Sequence, residues 1–296
     1  MKTILAPAPI AAAATAALSA QFVRSVFRRK PPIKSERTQL GCDWLREKAE
    51  TLYIKSRDGL KLAGYWVPGE SEKKIAVVVH GYHSIAGDVA EYAKIYLRNG
   101  YSVLLTENRG CGQSDGPFVG MGWPDRLDII DWIRLLMEKH AGCQICLHGV
   151  SMGASAAILS SAEEEFPQAV KCIVSDCAFS SAFKEFAFRL KKERKIPIPR
   201  SAVLLASNLL LYAVAGYGFL KADAKKAARS SETPMFFIHG AEDSFTPPWM
   251  AKQLYQAKAK DKALWIAPHT GHAQTVYAWH EEYEKRVAAF ASRFVK

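Results

Sequence analysis

At 296 residues the chain has room for a sizeable core, arranged as one large domain or two small ones. Its 49% hydrophobic and 23% charged residues are the mix of a globular protein and exclude a bundle of membrane spans. The net charge of +11 favours an anionic partner; the chain carries no nucleic-acid-binding signature, so an anionic membrane surface or acidic substrate is expected and nucleic acid is not.

The chain opens with an uncharged run from Thr3 to Val23, followed by Arg24, Arg28, Arg29, Lys30 and Lys34. Such a length just spans a bilayer, and basic residues on its carboxyl side would hold the main domain in the cytoplasm. The run is rich in alanine, holds Pro7 and Pro9, and at Leu18-Ser19-Ala20 is similar to a cleavage site. Residues 1–30 are therefore expected to be a membrane segment or a signal peptide, the latter placing the domain in the periplasm or outside the cell. Residues 31–49, opened by Pro31-Pro32, read as a linker.

Strand-like and helix-like segments then alternate. Thr51 to Lys55 and Leu60 to Val67, split by Arg57-Asp58-Gly59, predict an antiparallel hairpin. Ile75 to Val79 is a continuous apolar run, as in a strand buried on both faces, and ends in His80-Gly81-Tyr82. A helix is expected from Val89 to Arg98 and stops at Asn99-Gly100; Tyr101 to Leu105 is the next strand. A second helix runs from about Pro124 to His140, with Asp125 and Asp128 in its first turn and Leu127, Ile130, Ile133 and Met137 as its buried stripe.

The strand residues Ile145 to Leu147 lead into Gly149-Val150-Ser151-Met152-Gly153, and a small-residue helical segment follows at once. Two glycines remove Cβ atoms where a strand reverses into a helix, which exposes the Ser151 hydroxyl at the sheet edge. Val170 to Val174, Met235 to Ile238 and Leu264 to Ala267 complete the strands. Alternation of this kind predicts an α/β fold whose mostly parallel sheet is covered on both faces, with sites beyond the carboxyl ends of the strands. His80, Ser151, Asp176, Asp243 and His272 all fall there.

The six cysteines sit in or beside strands and read as small buried residues. Cys143 and Cys146 form a CxxC, but it enters a strand rather than opening a helix as redox motifs do. Residues 180–231 form an insertion before the next strand, basic at first (Lys184, Arg189, Lys191, Lys192, Arg194, Lys195, Arg200) and uncharged from Ala202 to Leu220. It reads as a small helical cap, either a buried roof or a lid that opens at a membrane.

From about residue 50 onward the chain resembles the serine α/β-hydrolases, and most closely bacterial membrane-anchored members of poorly assigned substrate. His80-Gly81-Tyr82 is similar to their oxyanion loop, residues 107–116 to their DxRGxGxSxG loop with Glu107 for aspartate, and Gly149 to Gly153 to their nucleophile elbow. His239 to Pro247 resembles the acid loop and Gly271-His272 the histidine loop.

Elementary chemistry agrees with the resemblance. A serine hydroxyl needs a base, and imidazole suits that at neutral pH; His272 is the first candidate and His269 the competitor. A carboxylate must orient the imidazole: Asp243 is preferred, Asp176 is the variant choice, and Glu242 reads as a solvated charge. The backbone N–H groups of Tyr82 and Met152 are the expected oxyanion donors. His80 and Arg109 read as structural, through a hydrogen bond and an ion pair. The expected activity is cleavage of a carboxylic ester or thioester through an acyl-serine, with no metal or cofactor; a peptidase or acyltransferase using the same triad, or a non-catalytic tethered binding protein, are the alternatives. A small-molecule or lipid-like acyl substrate is expected, with the membrane as partner through residues 1–30 and the basic cap. On that reading, loss of the first thirty residues would leave activity on a short soluble ester intact.

Overall fold

The run Ile75–Val79 is fully buried at the centre of a single sheet in the computed structural model, which describes residues 8–32, 35–193 and 199–296. Residues 3–7 of the uncharged run, Lys34, Arg194 and Lys195 lie outside these. Among the described residues the strands are β1 (Glu50–Lys55), β2 (Lys61–Val67), β3 (Ser71–Val79), β4 (Tyr101–Thr106), β5 (Gln144–Val150), β6 (Val170–Asp176), β7 (Met235–Gly240) and β8 (Lys262–Ala267). They join in the order β1-β2-β4-β3-β5-β6-β7-β8. The β1–β2 and β2–β4 pairs are antiparallel and all others parallel. The mostly parallel α/β sheet expected from the alternation is present.

The helices are α1 (Ala8–Val26), α2 (Glu36–Lys48), α3 (Ala90–Arg98), α4 (Asp125–Lys139), α5 (Met152–Ser160), α6 (Ala182–Glu193), α7 (Arg200–Ala215), α8 (Ala224–Ser230), α9 (Trp249–Ala257), α10 (Thr275–Ala278) and α11 (His280–Ala291). Because successive strand side chains point to opposite faces, β3 feeds two cores. Ile75, Val77 and Val79 pack with apolar residues of α4, α5, α8 and α9; Ala76 and Val78 pack with those of α3 and α11. A two-sided core of this kind fixes the strand register, which in turn fixes where each strand ends and each functional loop begins.

Three expectations need correction. The stretch 31–49 holds α2, whose N-cap Ser35 accepts a hydrogen bond from Thr38 N at 3.0 Å. The helix is polar around most of its surface and buries only Thr38, Gly41 and Leu45, so periodicity gives it no signal. In α4 the buried face is Ile129, Ile130, Trp132, Ile133 and Leu136, with Leu127 half-buried and Met137 exposed. Both Asp125 and Asp128 are buried there, which turns the helix from the stripe its apolar spacing suggested. Finally, α7 is no fully buried roof: Val203, Leu204, Ser207 and Leu211 face inward, whereas Leu205, Leu209 and Tyr212 are exposed. The end of the insertion, α8, packs against α5 and α9 and belongs to the body of the fold.

Helix α1 lies along α7, with Ser19 Oγ donating to the Val203 carbonyl at 3.1 Å. Phe22 and Phe27 meet Phe186 of α6 and Phe219 with ring centroids 5.1–6.3 Å apart. Beyond α1, Arg29 N donates to Pro117 O at 2.8 Å and Val119 N to Phe27 O at 2.7 Å, pinning the segment to the loop after β4. Among the described residues no single helix is long and apolar enough to cross a membrane.

Candidate active site

Ser151 stands between β5 and α5 at φ 56°, ψ −116°, a strained conformation for a residue with a side chain. The glycines on either side permit it. A Cβ on Gly149 would lie 2.4 Å from the Ala154 backbone, and one on Gly153 would lie 2.3 Å from Val79 O. The strain pushes the hydroxyl out at the sheet's carboxyl edge.

There the structure brings Ser151, His272 and Asp243 together. Ser151 Oγ is 2.9 Å from His272 Nε2, and His272 Nδ1 is 2.6 Å from Asp243 Oδ2. These partners assign the proton to Nδ1, leaving Nε2 as the acceptor of the serine proton. Asp243 is held from several sides: Oδ1 accepts from Phe245 N and Thr246 N, both at 2.9 Å, and His239 Nε2 lies 3.1 Å from Oδ2. Burial pushes this carboxyl up, but the hydrogen bonds from His239 and His272 outweigh it and hold its pKa at about 2. It is therefore a carboxylate at neutral pH. Phe245 lies over the His272 ring with centroids 4.8 Å apart, and Arg189 of α6 caps Phe245 at 3.9 Å, which ties the cap to the histidine.

Met152 opens α5, so its N–H belongs to the first turn, where helix amides lack an internal acceptor. Gly81 is close on the other side: a Cβ there would sit 3.2 Å from Ser151 Cβ. The preceding His80 is fully buried, donating from Nδ1 to Gly81 O at 2.8 Å and accepting from Asn108 N at 3.0 Å through Nε2. It braces the turn that carries Tyr82. Arg109 pairs with Asp128 and Asp58, both at 2.7 Å.

The remaining candidates go elsewhere. His269 is exposed and bonds Glu242 at 3.1 Å, away from the serine. Asp176, the variant choice, is fully buried behind the site, where it accepts from Tyr283 OH at 2.9 Å and Tyr92 OH at 3.4 Å. Burial dominates there and raises its pKa to about 6, against the opposing pull of these hydroxyls and of His239 and His272. Cys143 and Cys146 are free thiols, as are the other four cysteines. Sequence reasoning missed the bracing role of His239. Its signal was present, since it ends β7 four residues before Asp243, but pairing across that turn depends on the fold of the loop.

Two cavities meet at Ser151. One, of about 180 Å³, is lined mainly by apolar side chains of α1, α6 and α7 and reaches Ser151 and Met152 without touching His272. The other, of about 920 Å³, is wider, holds the charged side chains Glu36, Arg37, Asp88 and Glu91 in its lining, and includes Gly81, Ser151 and His272.

With this geometry in view, the comparisons with known proteins fall into place. The model of a family described as serine aminopeptidase, S33, matches residues 70–211. The uncharacterized protein YqkD of Bacillus subtilis is 28% identical over 239 residues, covering 80% of this chain and 77% of that one. The thiohydrolase aneE of Aspergillus aculeatus is 32% identical over 135 residues, 43% of this chain and 41% of that one. Among solved structures, the esterase Pf2001 of Pyrococcus furiosus superposes with a TM-score of 0.71 at 23% identity, covering 90% of this chain and 99% of that one. The chain has the α/β-hydrolase fold, shared with that esterase over 90% of its length, and its residues 70–211 are similar to the serine aminopeptidase family.

Proposed function

We propose that the protein is a serine hydrolase that cleaves a carboxylic ester or thioester. The observation that carries this reading is the continuous relay from Ser151 Oγ through His272 to Asp243, at 2.9 and 2.6 Å. Ser151 Oγ attacks the carbonyl carbon while His272 Nε2 takes its proton. The tetrahedral oxyanion is held by the N–H groups of Met152 and Tyr82. Collapse breaks the bond to the leaving oxygen or sulfur, which receives the proton from His272. Water, deprotonated in turn by His272, then releases the acyl group as a carboxylic acid and restores the serine. Asp243, ionised throughout, fixes the imidazole and balances its transient positive charge.

Labelling by a fluorophosphonate tests this. Labelling that depends on Ser151 supports a nucleophilic serine; its absence in the folded protein favours a binding module on the same fold. The aminopeptidase description of the matching family keeps peptide cleavage as the second reading, and turnover of an amino-acyl anilide above that of esters would select it.

The membrane partner is read as an anionic lipid surface met by the cap. Support comes from the exposed Leu205, Leu209 and Tyr212 on α7 and from the basic residues Lys191, Lys192 and Arg200 beside it in sequence.

A further inference from the structure

The direction of bond cleavage assigns the two cavities. A leaving group takes its proton from His272 Nε2, so it must lie on the side that His272 lines, which is the wide cavity. The acyl group then lies on the opposite side of the serine, in the cavity of about 180 Å³ beside Met152. One wall of that cavity is α1, through Leu18, Phe22 and Val26; the facing walls are Phe186 and Leu190 of α6 and Val203 of α7. The same helix reaches the oxyanion loop, for Tyr82 OH donates to the Val26 carbonyl at 2.6 Å. The segment that reads in the sequence as a membrane segment or signal peptide thus lines the site.

We propose that α1 completes an acyl pocket and that the substrate is a medium-chain acyl ester or thioester with a polar leaving group. The proposal rests on the reading of Ser151 as nucleophile. An apolar cavity of about 150 Å³ holds a six-carbon ring, so one of about 180 Å³ takes an acyl chain of roughly six to eight carbons. Longer chains run against Phe22 and Phe186 of the lining, which pack into an aromatic cluster with Phe27 and Phe219. Shorter ones leave apolar surface uncovered, at a loss of about fourfold in binding per methylene. α1 is therefore a determinant of chain length, and its removal would open the pocket and free Tyr82, contrary to the expectation that short-ester activity survives without it.

The test uses the full chain and p-nitrophenyl esters from acetate to laurate, with kcat/KM as the readout. Wild type should peak between hexanoate and octanoate. Leu18→Trp, which fills the pocket from α1, should lower the octanoate-to-acetate ratio by about tenfold or more. Ala17→Trp places the same bulk on the exposed outer face of α1 and should leave that ratio within about twofold of wild type. A flat chain-length profile, or a ratio unmoved by Leu18→Trp at an unchanged thermal midpoint, overturns the pocket. Faster turnover of leucine p-nitroanilide than of any ester also overturns it, pointing to Glu185 in the lining as the partner of a substrate amine. Fluorophosphonate labelling separates the two claims: labelling with a flat profile sinks the pocket and keeps the nucleophile. If neither labelling nor turnover occurs, binding of sodium octanoate to the Ser151→Ala protein, weakened by adding Leu18→Trp, still decides for the pocket, and no binding decides against it.

Discussion

His239 Nε2 lies 3.1 Å from Asp243 Oδ2, the oxygen that also meets His272 Nδ1 at 2.6 Å. The carboxylate is thus clamped between two imidazoles, one in β7 and one in the loop after β8. His239 also donates to Thr246 O at 2.7 Å, so one buried ring ties the acid to the turn that follows it. Its role is positioning. Replacement by Phe removes the donor and should lower kcat about tenfold, ~1.4 kcal/mol, with KM little changed. Gln, which can reach with a terminal amide, should recover most of that loss; a purely structural role would show only as a lowered melting temperature in both variants.

Ser151, the proposed nucleophile, sits in strained backbone. Ser151→Ala should lose about 10³-fold or more in turnover while keeping the melting temperature of wild type. Ser151→Gly should be equally inactive yet more stable than the alanine variant by about 1 kcal/mol, a shift of roughly 2 °C, because glycine tolerates φ 56°. Equal midpoints in calorimetry would show that the elbow stores no strain.

Asp176 gives stability a dependence on pH. Its folded pKa of about 6 exceeds the ordinary 3.8 because burial disfavours the charge. Below pH 3.8 both folded and unfolded chains carry the proton and nothing is lost. Between 3.8 and about 6 only the unfolded chain ionises, so stability falls as pH rises, by on the order of 3 kcal/mol once both are ionised. Asp176→Asn removes this titration. Its melting temperature relative to wild type should climb from pH 4 to pH 7; a difference that stays constant across that range would show that Asp176 is not the titrating group.

Attachment to lipid is tested on α7. Leu209 is 71% exposed, and Leu209→Asp should weaken sedimentation with phosphatidylserine vesicles by about tenfold while leaving hydrolysis of a soluble ester unchanged. Rising salt should release the wild-type protein from such vesicles through screening of the basic residues. Salt-independent or unaltered binding would exclude this face.

Legibility tracked the range of the interactions involved. The β3 run, the Gly149–Gly153 turn and the hairpin at Asp58-Gly59 were readable because strand burial, a tight reversal and a positive φ are each encoded within a few residues. Helix α2 was not, since its stability comes from an N-cap and three buried contacts rather than from an apolar period. The buried face of α4 was misplaced because Asp128 turns inward to meet Arg109, a partner 19 residues earlier.

By itself the sequence determined the sheet, the strained serine turn and the residue types that gather at the strand ends, because strand period, glycine placement and loop chemistry are local. Only the tertiary structure decided which carboxylate meets His272, that His239 braces it, and that α1 lies against the cap with Leu18 and Phe22 facing the serine. The physical reason is that an alanine-rich helix is equally suited by composition to a bilayer, a signal peptide or a pocket wall. Where such a helix packs depends on complementary surface elsewhere in the chain, here Phe186, Val203 and Phe219, and no window of neighbouring residues contains that surface.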